Sequence, residues 1–165
     1  MSILSLSSMN KLEQEIRKTE GFQYLESNNK DEVIEALRQI SVRSGLTIYI
    51  WSSDVGMVDI KSRQTPLPAT TTIMDALKYA NKNHYFAVYV FPILNNKDLL
   101  DLKTSLPTFQ NIFNAKANKN TKFLFLTDKE TSFHYLVSHG EKIELVNKNT
   151  KQYKLRDGKW VLAHE

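Results

Sequence analysis

The sequence has 165 residues, of which 41% are hydrophobic and 24% are charged, a composition typical of one globular domain and not of a disordered chain. It contains no cysteine, which excludes a disulfide framework, a thiolate nucleophile and every zinc site that needs sulfur. The net charge of +4 is uneven, because residues 1–115 are balanced and residues 116–165 carry 10 basic and 6 acidic side chains. A basic C-terminal region favours an acidic partner such as nucleic acid, anionic lipid or an acidic protein; alternatively, the lysines only keep a terminal hairpin soluble.

The beginning of the chain does not resemble a targeting segment. The stretch MSILSLSSMNK lacks the basic start and the continuous apolar run of a secretory signal. No segment reaches the roughly 20 apolar residues that cross a bilayer. We therefore expect no membrane span and a cytoplasmic location.

The first predicted element is a helix from Met9 to Leu25. Its apolar stripe is thin, with Leu12, Ile16 and Phe22 on one side. A stripe this narrow is typical of a peripheral helix or a partly ordered arm. We assign it to an N-terminal segment of residues 1–28, and it is one place where a partner could dock.

The next helix has clear boundary signals. Asn29 followed by Glu32 is typical of a capping box, and apolar residues then recur at helical spacing as far as Gly45, which suits the left-handed end of a helix. Thr47–Trp51 follows as a strand whose side chains are β-branched or aromatic, so we expect both of its faces to be covered.

The same alternation continues along the chain. Helices are predicted to start at Thr72 and at Asn95, with Pro107 kinking the latter or opening a new turn. A short strand is also predicted over 56–63. YFAVYVF and KFLFLT are predicted as two buried strands, and residues 142–146 as a further strand. Asp128 is placed to cap a short helix that Gly140 can end.

This order of elements predicts an α/β three-layer sandwich with a mostly parallel central sheet over residues 29–147. Asp157-Gly158 between two strand-like runs predicts a β-hairpin with a type I′ turn. We therefore expect residues 148–165 to form a basic antiparallel addition to the α/β core.

The turn Ser52-Ser53-Asp54 lies where phosphates bind in many parallel α/β domains, directly after a buried strand. No G-x-x-x-x-G-K-[ST] or G-x-G-x-x-G motif occurs, and the chain has only five glycines. These residues therefore favour an Asx-type turn over a phosphate or magnesium site. Together the patterns resemble the scaffold of a P-loop NTPase in degenerate form.

Two carboxylates keep an enzymatic alternative open. Asp128 follows KFLFLT, the position of a magnesium-holding carboxylate in some nucleotide enzymes. If Asp54 and Asp128 lay at neighbouring strand ends, a small hydrolase or phosphotransfer enzyme would be conceivable. The histidines give no support to a metal site, since His134 and His139 are five residues apart. We predict no catalytic residue, no cofactor and no metal.

Aromatic and basic residues alternate in the predicted hairpin. Such a pattern could contact a protein partner, or stack bases and neutralise phosphates. It equally suits a half-exposed hairpin that turns Tyr153, Leu155 and Val161 inward. The candidate partner-binding residues are Tyr153, Lys154, Arg156, Lys159 and Trp160.

Four stretches together resemble a known family: TIYIWSSDVG, MDALKYANKNHYFAVYVFPIL, TKFLFLTDKETSF and HGEKIELVN. Over residues 46–147 the pattern is similar to the degenerate NTPase-like domain that precedes the ATPase module in plastid- and cyanobacterial-type AAA+ proteins. In that family an early strand is followed by a divergent loop instead of a Walker A motif. The resemblance implies a nucleotide-incompetent fold used as an interaction surface, and it assigns no functional residue.

The leading hypothesis is therefore a non-catalytic adaptor or accessory subunit that acts through a protein partner. The alternatives are a nucleic-acid-binding accessory protein that uses the basic C-terminal region, and the small enzyme with Asp54 and Asp128.

Overall fold

The computed structural model describes residues 4–18, 22–82, 85–115, 121–145, 153–156 and 159–162. The helices are α1 (Leu6–Ile16), α2 (Lys30–Ser44), α3 (Ile73–Asn81), α4 (Asn96–Thr104), α5 (Leu106–Ala115) and α6 (His134–His139). The strands are β1 (Phe22–Glu26), β2 (Ile48–Ser52), β3 (Gly56–Asp59), β4 (Ala87–Pro92), β5 (Thr121–Thr127), β6 (Glu141–Lys142), β7 (Tyr153–Arg156) and β8 (Lys159–Leu162).

Six strands form one sheet in the order β3-β2-β4-β5-β1-β6. All neighbouring pairs are parallel except β2 and β3, which are antiparallel. Strands β7 and β8 pair antiparallel in a separate two-stranded sheet. The predicted mostly parallel α/β sheet and the C-terminal hairpin are confirmed, and Asp157-Gly158 lies outside the described residues.

Successive side chains along each strand point to opposite faces of the six-stranded sheet, and the two faces differ in chemistry. One face is aliphatic and packs against α1 and α2, with Ile48, Val90 and Leu124 among its residues. The other is aromatic and packs against α3 to α6; it includes Trp51 and Phe91. Helices thus cover both faces, which confirms the three-layer arrangement.

Aromatic rings dominate the second face. Phe125 is fully buried and lies 5.2 Å from Phe91 in a stacked pair and 5.3 Å from Phe109 of α5 in an edge-to-face pair, measured between ring centroids. Phe22 of β1 contacts Phe109 at 4.6 Å. These contacts tie α5 to the adjacent strands β5 and β1.

The N-terminal segment differs from the prediction. The helix predicted over Met9–Leu25 ends at Ile16, and Phe22–Glu26 is instead a strand of the main sheet between β5 and β6. The predicted thin, peripheral stripe is also wrong as a docking surface, because Leu12 and Ile16 are fully buried on the aliphatic face. The central sheet therefore includes residues that the sequence pattern placed in an N-terminal helix or arm.

Other local signals behave as the sequence predicts. The Asn29 side chain accepts a hydrogen bond from the Glu32 N–H, and Gly45 ends α2 at φ 73°. Thr72 and Asn95 cap α3 and α4 in the same way, and α5 starts one residue before Pro107. Each is a local hydrogen-bonding or dihedral preference that needs no distant partner.

One buried charge lies on the aliphatic face. Lys122 of β5 has no exposed side-chain surface, and burial lowers the pKa of its ammonium group to about 8, against the opposing pull of Glu141 and Glu15. Gln23 of the neighbouring β1 is buried as well and donates from Nε2 to the Glu15 Oε2 atom at 3.1 Å. The Gln23–Glu15 bond connects α1 to the sheet.

The aromatic face should carry a large share of the stability. We expect Phe125→Ala to lower the free energy of unfolding by about 3–5 kcal/mol, because it removes a buried ring and leaves a cavity. Urea denaturation measures the change. The control is Leu100→Ala on α4, where the side chain is 64% exposed and a loss within about 0.5 kcal/mol is expected. Equal losses in the two variants would contradict this account of the core.

Candidate functional site

The topology creates a crevice at the carboxyl ends of β1 and β5, where a ligand site is expected. Strand β1 and strand β5 are adjacent and parallel, yet the helices that follow them pack on opposite faces. Helix α2, after β1, covers the aliphatic face, and α6, after β5, covers the aromatic face. In open α/β sheets, ligands bind outside the carboxyl ends of strands at such a switch point.

The loop between β1 and α2 forms one wall of this crevice. It has only three residues, Ser27 to Asn29, and no glycine. The Ser27 N–H donates to the Thr127 carbonyl at 2.8 Å, which extends the β1–β5 pairing beyond the last ladder pair. Ser27 Oγ accepts the Asn29 N–H at 3.1 Å. The loop is thus short, two of its N–H groups are bonded within the protein, and without glycine it is not the glycine-rich phosphate cradle of a P-loop.

The first turn of α2 is also unsuited to an anion. Asn29 Oδ1 accepts the Glu32 N–H at 3.2 Å. Asp31 and Glu32 place two carboxylates in the same turn. Negative side chains stabilise a helix N-terminus, and they repel a phosphate group from it.

The turn after β5 forms the opposite wall. Asp128 Oδ1 accepts the N–H groups of Glu130 and Thr131, both at 2.9 Å, and the Asp128 N–H donates to Thr131 Oγ1 at 3.0 Å. This is an Asx-type turn. The predicted helix-capping role of Asp128 is therefore wrong: the N-cap of α6 is Phe133, which makes no side-chain capping bond.

An ion pair joins the two walls. Lys30 Nζ, from the first residue of α2, lies 2.5 Å from Asp128 Oδ2. The two side chains are 10% and 24% exposed, so the pair is largely shielded from water. The hydrogen bond from Lys30 and the backbone N–H of Thr131 lower the pKa of Asp128 to about 2. Both charges at the switch point are thus neutralised within the protein.

The turn singled out in the sequence lies elsewhere. Ser52 to Val55 is a turn between β2 and the antiparallel edge strand β3, with the Val55 N–H donating to Ser52 Oγ at 3.4 Å. No helix N-terminus follows β2 there. Strand β4 separates β2 from β5, so Asp54 and Asp128 do not follow neighbouring strands, and the arrangement required for the predicted two-aspartate enzyme is absent.

The described part of the chain also lacks a cluster of metal-binding side chains. Among those residues, no three His, Asp or Glu side chains are grouped so that they could hold a metal ion. His134 Nε2 lies 3.3 Å from Ser138 Oγ, and the His139 ring stacks on Tyr135 at 4.3 Å. His84 and His164 lie outside the described residues.

The sequence pattern did not indicate that Ser27, Asn29 and Lys30 together form one wall of the crevice. The capping signal at Asn29 was visible, but the strand before it was not recognised, so its loop could not be placed at a switch point. The aromatic content of Phe22–Glu26, FQYLE, is the signal that could have indicated a strand.

The pairing register separates the candidate residues of the hairpin. Lys154 pairs with Val161 and Arg156 pairs with Lys159, while Tyr153 pairs with Leu162 and Leu155 with Trp160. Positions alternate between faces along a strand, so the three basic positions belong to one face and the two aromatic positions to the other. Val161 therefore does not share a face with Tyr153 and Leu155, contrary to the prediction. Stacking and phosphate contacts would need both kinds on one surface.

Sheet order and crevice together define a three-layer α/β domain with a mostly parallel sheet and an internal ion pair at the switch point. A model of the family described as "SpoVK-like AAA ATPase, N-terminal domain" matches residues 9–132. The chain belongs to this family, which confirms the predicted relationship to a domain that precedes an AAA+ ATPase module. The search of curated proteins and the search of solved structures found no match.

The ion pair should make stability depend on acid. The folded pKa of Asp128, about 2, lies below its ordinary value of 3.8. Its contribution to stability is therefore complete above about pH 4 and is lost as the pH falls from 4 through 2. We expect Lys30→Met to raise the pKa of Asp128 by at least 1 unit and to reduce the unfolding free energy at pH 7 by about 1–2 kcal/mol.

Carboxyl NMR titration measures the pKa, and urea denaturation measures the free energy. The matched control is Lys129→Met, an exposed lysine next to Asp128 in sequence. An Asp128 pKa that responds equally to both substitutions would show that general charge, and not the Lys30 contact, holds it low.

Proposed function

We propose that this domain is a non-catalytic adaptor or accessory module that acts by binding another protein. The observation that carries the proposal is the Lys30–Asp128 pair, which occupies the switch point with the protein's own charges. A domain that used this crevice for nucleotide would leave a cation there to meet phosphate. Here the cation is already neutralised.

Family membership supports the same function. The family consists of N-terminal domains of SpoVK-like AAA ATPases, and a domain of this kind, distinct from the ATPase module, is suited to contacting other proteins. Among the described residues, no helix has the length and apolar character that crossing a membrane requires. The proposed partner is a protein.

The proposed contact region is the C-terminal hairpin, with the basic positions Lys154, Arg156 and Lys159 meeting the acidic surface. Tyr153 and Trp160, at positions of the other face, are proposed as additional contacts with the partner. The whole charge excess of the chain lies in residues 116–165, which carry 10 basic and 6 acidic residues. An excess of positive charge favours association with an acidic surface and raises the rate of encounter at low salt. The proposed partner thus presents an acidic surface to this hairpin.

Nucleotide titration tests the non-catalytic part of the proposal. We expect isothermal calorimetry with magnesium and ATP or GTP to show no saturable binding up to about 1 mM, a Kd that corresponds to only about −4 kcal/mol. The double variant Lys30→Met, Asp128→Ala should also fail to bind, because the Ser27–Asn29 loop still lacks a phosphate cradle.

Comparing the unmodified domain with the double variant distinguishes a domain that binds nucleotide from one whose site is hidden by the ion pair. Stoichiometric binding by the unmodified domain would refute a nucleotide-incompetent module. Binding by the double variant alone would show that the ion pair conceals a competent site, which contradicts the absence of a cradle.

Charge reversal tests the contact region. We expect Lys154→Glu, Arg156→Glu, Lys159→Glu in one chain to weaken partner binding at least about tenfold, since each change replaces attraction to an acidic surface with repulsion. The measurement is quantitative mass spectrometry of proteins that co-purify with the chain from its native cells.

A matched variant reverses three exposed lysines of the α/β core, Lys61, Lys82 and Lys103. It has the same net charge and should retain the partner. Loss of the same proteins from both variants would assign the effect to overall charge and not to the hairpin.

A further inference from the structure

Two tyrosine side chains meet near the amino ends of β2 and β4. Tyr49 is the second residue of β2, and Tyr85 lies two residues before β4 begins. Their hydroxyl oxygens are 2.7 Å apart, the ordinary length of a hydrogen bond between two hydroxyl groups. The two residues are 36 positions apart in the chain. Because β2, β4, β5 and β1 run parallel, this contact lies at the end of the sheet opposite to the crevice.

One tyrosine of the pair is fixed against the sheet and the other is accessible. The half-buried Tyr49 ring stacks on Tyr89 of β4, with ring centroids 5.2 Å apart and an angle of 22° between the ring planes. Tyr89 is fully buried, so it holds the Tyr49 ring in position. Tyr85 is 53% exposed, and a reagent in solution can therefore reach its ring.

A pair of phenols can form a covalent cross-link that needs no cysteine, and this chain has none. A tyrosine that loses one electron and one proton becomes a phenoxyl radical, whose unpaired electron is shared between the oxygen and the ring carbons beside it. Two such radicals couple through these carbons when their rings are adjacent. The contact between the two hydroxyl groups brings these carbons of Tyr49 and Tyr85 close together. Burial raises the pKa of Tyr49, so its hydroxyl still has a proton to release at neutral pH.

We propose that Tyr49 and Tyr85 form a site of oxidative modification, at which a one-electron oxidant such as a haem peroxidase links the two rings as dityrosine. Each phenol gives one electron and one proton to the oxidant. A C–C bond then forms between the carbons beside the two hydroxyl groups, and the hydrogens on those carbons move to the oxygens. The product has two hydrogen atoms fewer than the unmodified chain, and one hydrogen peroxide is reduced to two waters. This site does not depend on the adaptor function.

The cross-link has a structural consequence. It joins β2 directly to the segment that leads into β4, and it closes a loop that contains β3 and α3. A covalent closure of this kind stabilises a fold mainly by restricting the unfolded chain. The linked protein should therefore unfold at a higher urea concentration than the unmodified one.

Treatment of the dilute full chain with a haem peroxidase and an equimolar amount of hydrogen peroxide tests the proposal. We expect dityrosine fluorescence and a single chain whose intact mass is lower by two hydrogen atoms. After digestion with trypsin, peptide 44–61, which contains Tyr49, should be linked to peptide 83–97, which contains Tyr85 and Tyr89.

Phenylalanine variants assign the link to the two residues. Tyr49→Phe and Tyr85→Phe keep the rings and remove one hydroxyl each, and each should lose the linked peptides because coupling needs two phenols. The matched control is Tyr79→Phe in α3, where the side chain is 37% exposed, and it should retain them. Tyr85→Phe changes a largely exposed side chain, so it decides the test even if Tyr49→Phe does not fold.

Three results would overturn the proposal. The first is an unmodified chain that forms links only between separate molecules, or oxidation products without any link. The second is a linked peptide pair that persists in Tyr85→Phe, since Tyr89 would then be the partner of Tyr49. The third is a linked chain whose urea midpoint does not rise, which would contradict the proposed closure of the loop.

Discussion

The position of β1 between β5 and β6 is the constraint on which the rest of this structure depends. It makes β1 and β5 neighbours whose following helices lie on opposite faces of the sheet. That arrangement creates the switch point and brings the start of α2 beside the turn after β5. Lys30 and Asp128 are 98 residues apart in the chain and meet only for this reason. The buried ring of Phe22 anchors β1 from the aromatic face through its contact with Phe109.

The Lys30–Asp128 pair makes the crevice a structural contact between α2 and the turn after β5. Lys30 Nζ donates to Asp128 Oδ2 at 2.5 Å, and Asp128 Oδ1 accepts two N–H groups of the Asx-type turn. The same position in a working nucleotide domain must keep its donors free for phosphate. The fold keeps the crevice of an open α/β sheet, while the side chains and the short loop fill it with the protein's own contacts; function resides in sites and not in folds.

Much of the architecture followed from local patterns in the sequence. The caps at Asn29, Thr72 and Asn95 and the glycine end of α2 were predictable, because each depends on hydrogen bonds and dihedral angles within a few residues. Strands β2, β4 and β5 were predictable because they are buried on both faces and read as continuous apolar runs. Strand β1 was missed because its polar residue Gln23 is buried beneath α1, so that FQYLE lacks such a run.

The sequence by itself determined an α/β sandwich, the N-terminal caps of α2, α3 and α4, the absence of cysteine chemistry and the lack of a phosphate-binding motif. Only the tertiary structure decided where the candidate site lies. It moved the crevice from the Ser52–Asp54 turn to the loop before Lys30, and it separated Asp54 from Asp128 by β4. The physical reason is that strand order is set by packing between distant segments, and a one-dimensional pattern of apolar residues carries no information about which strands become neighbours.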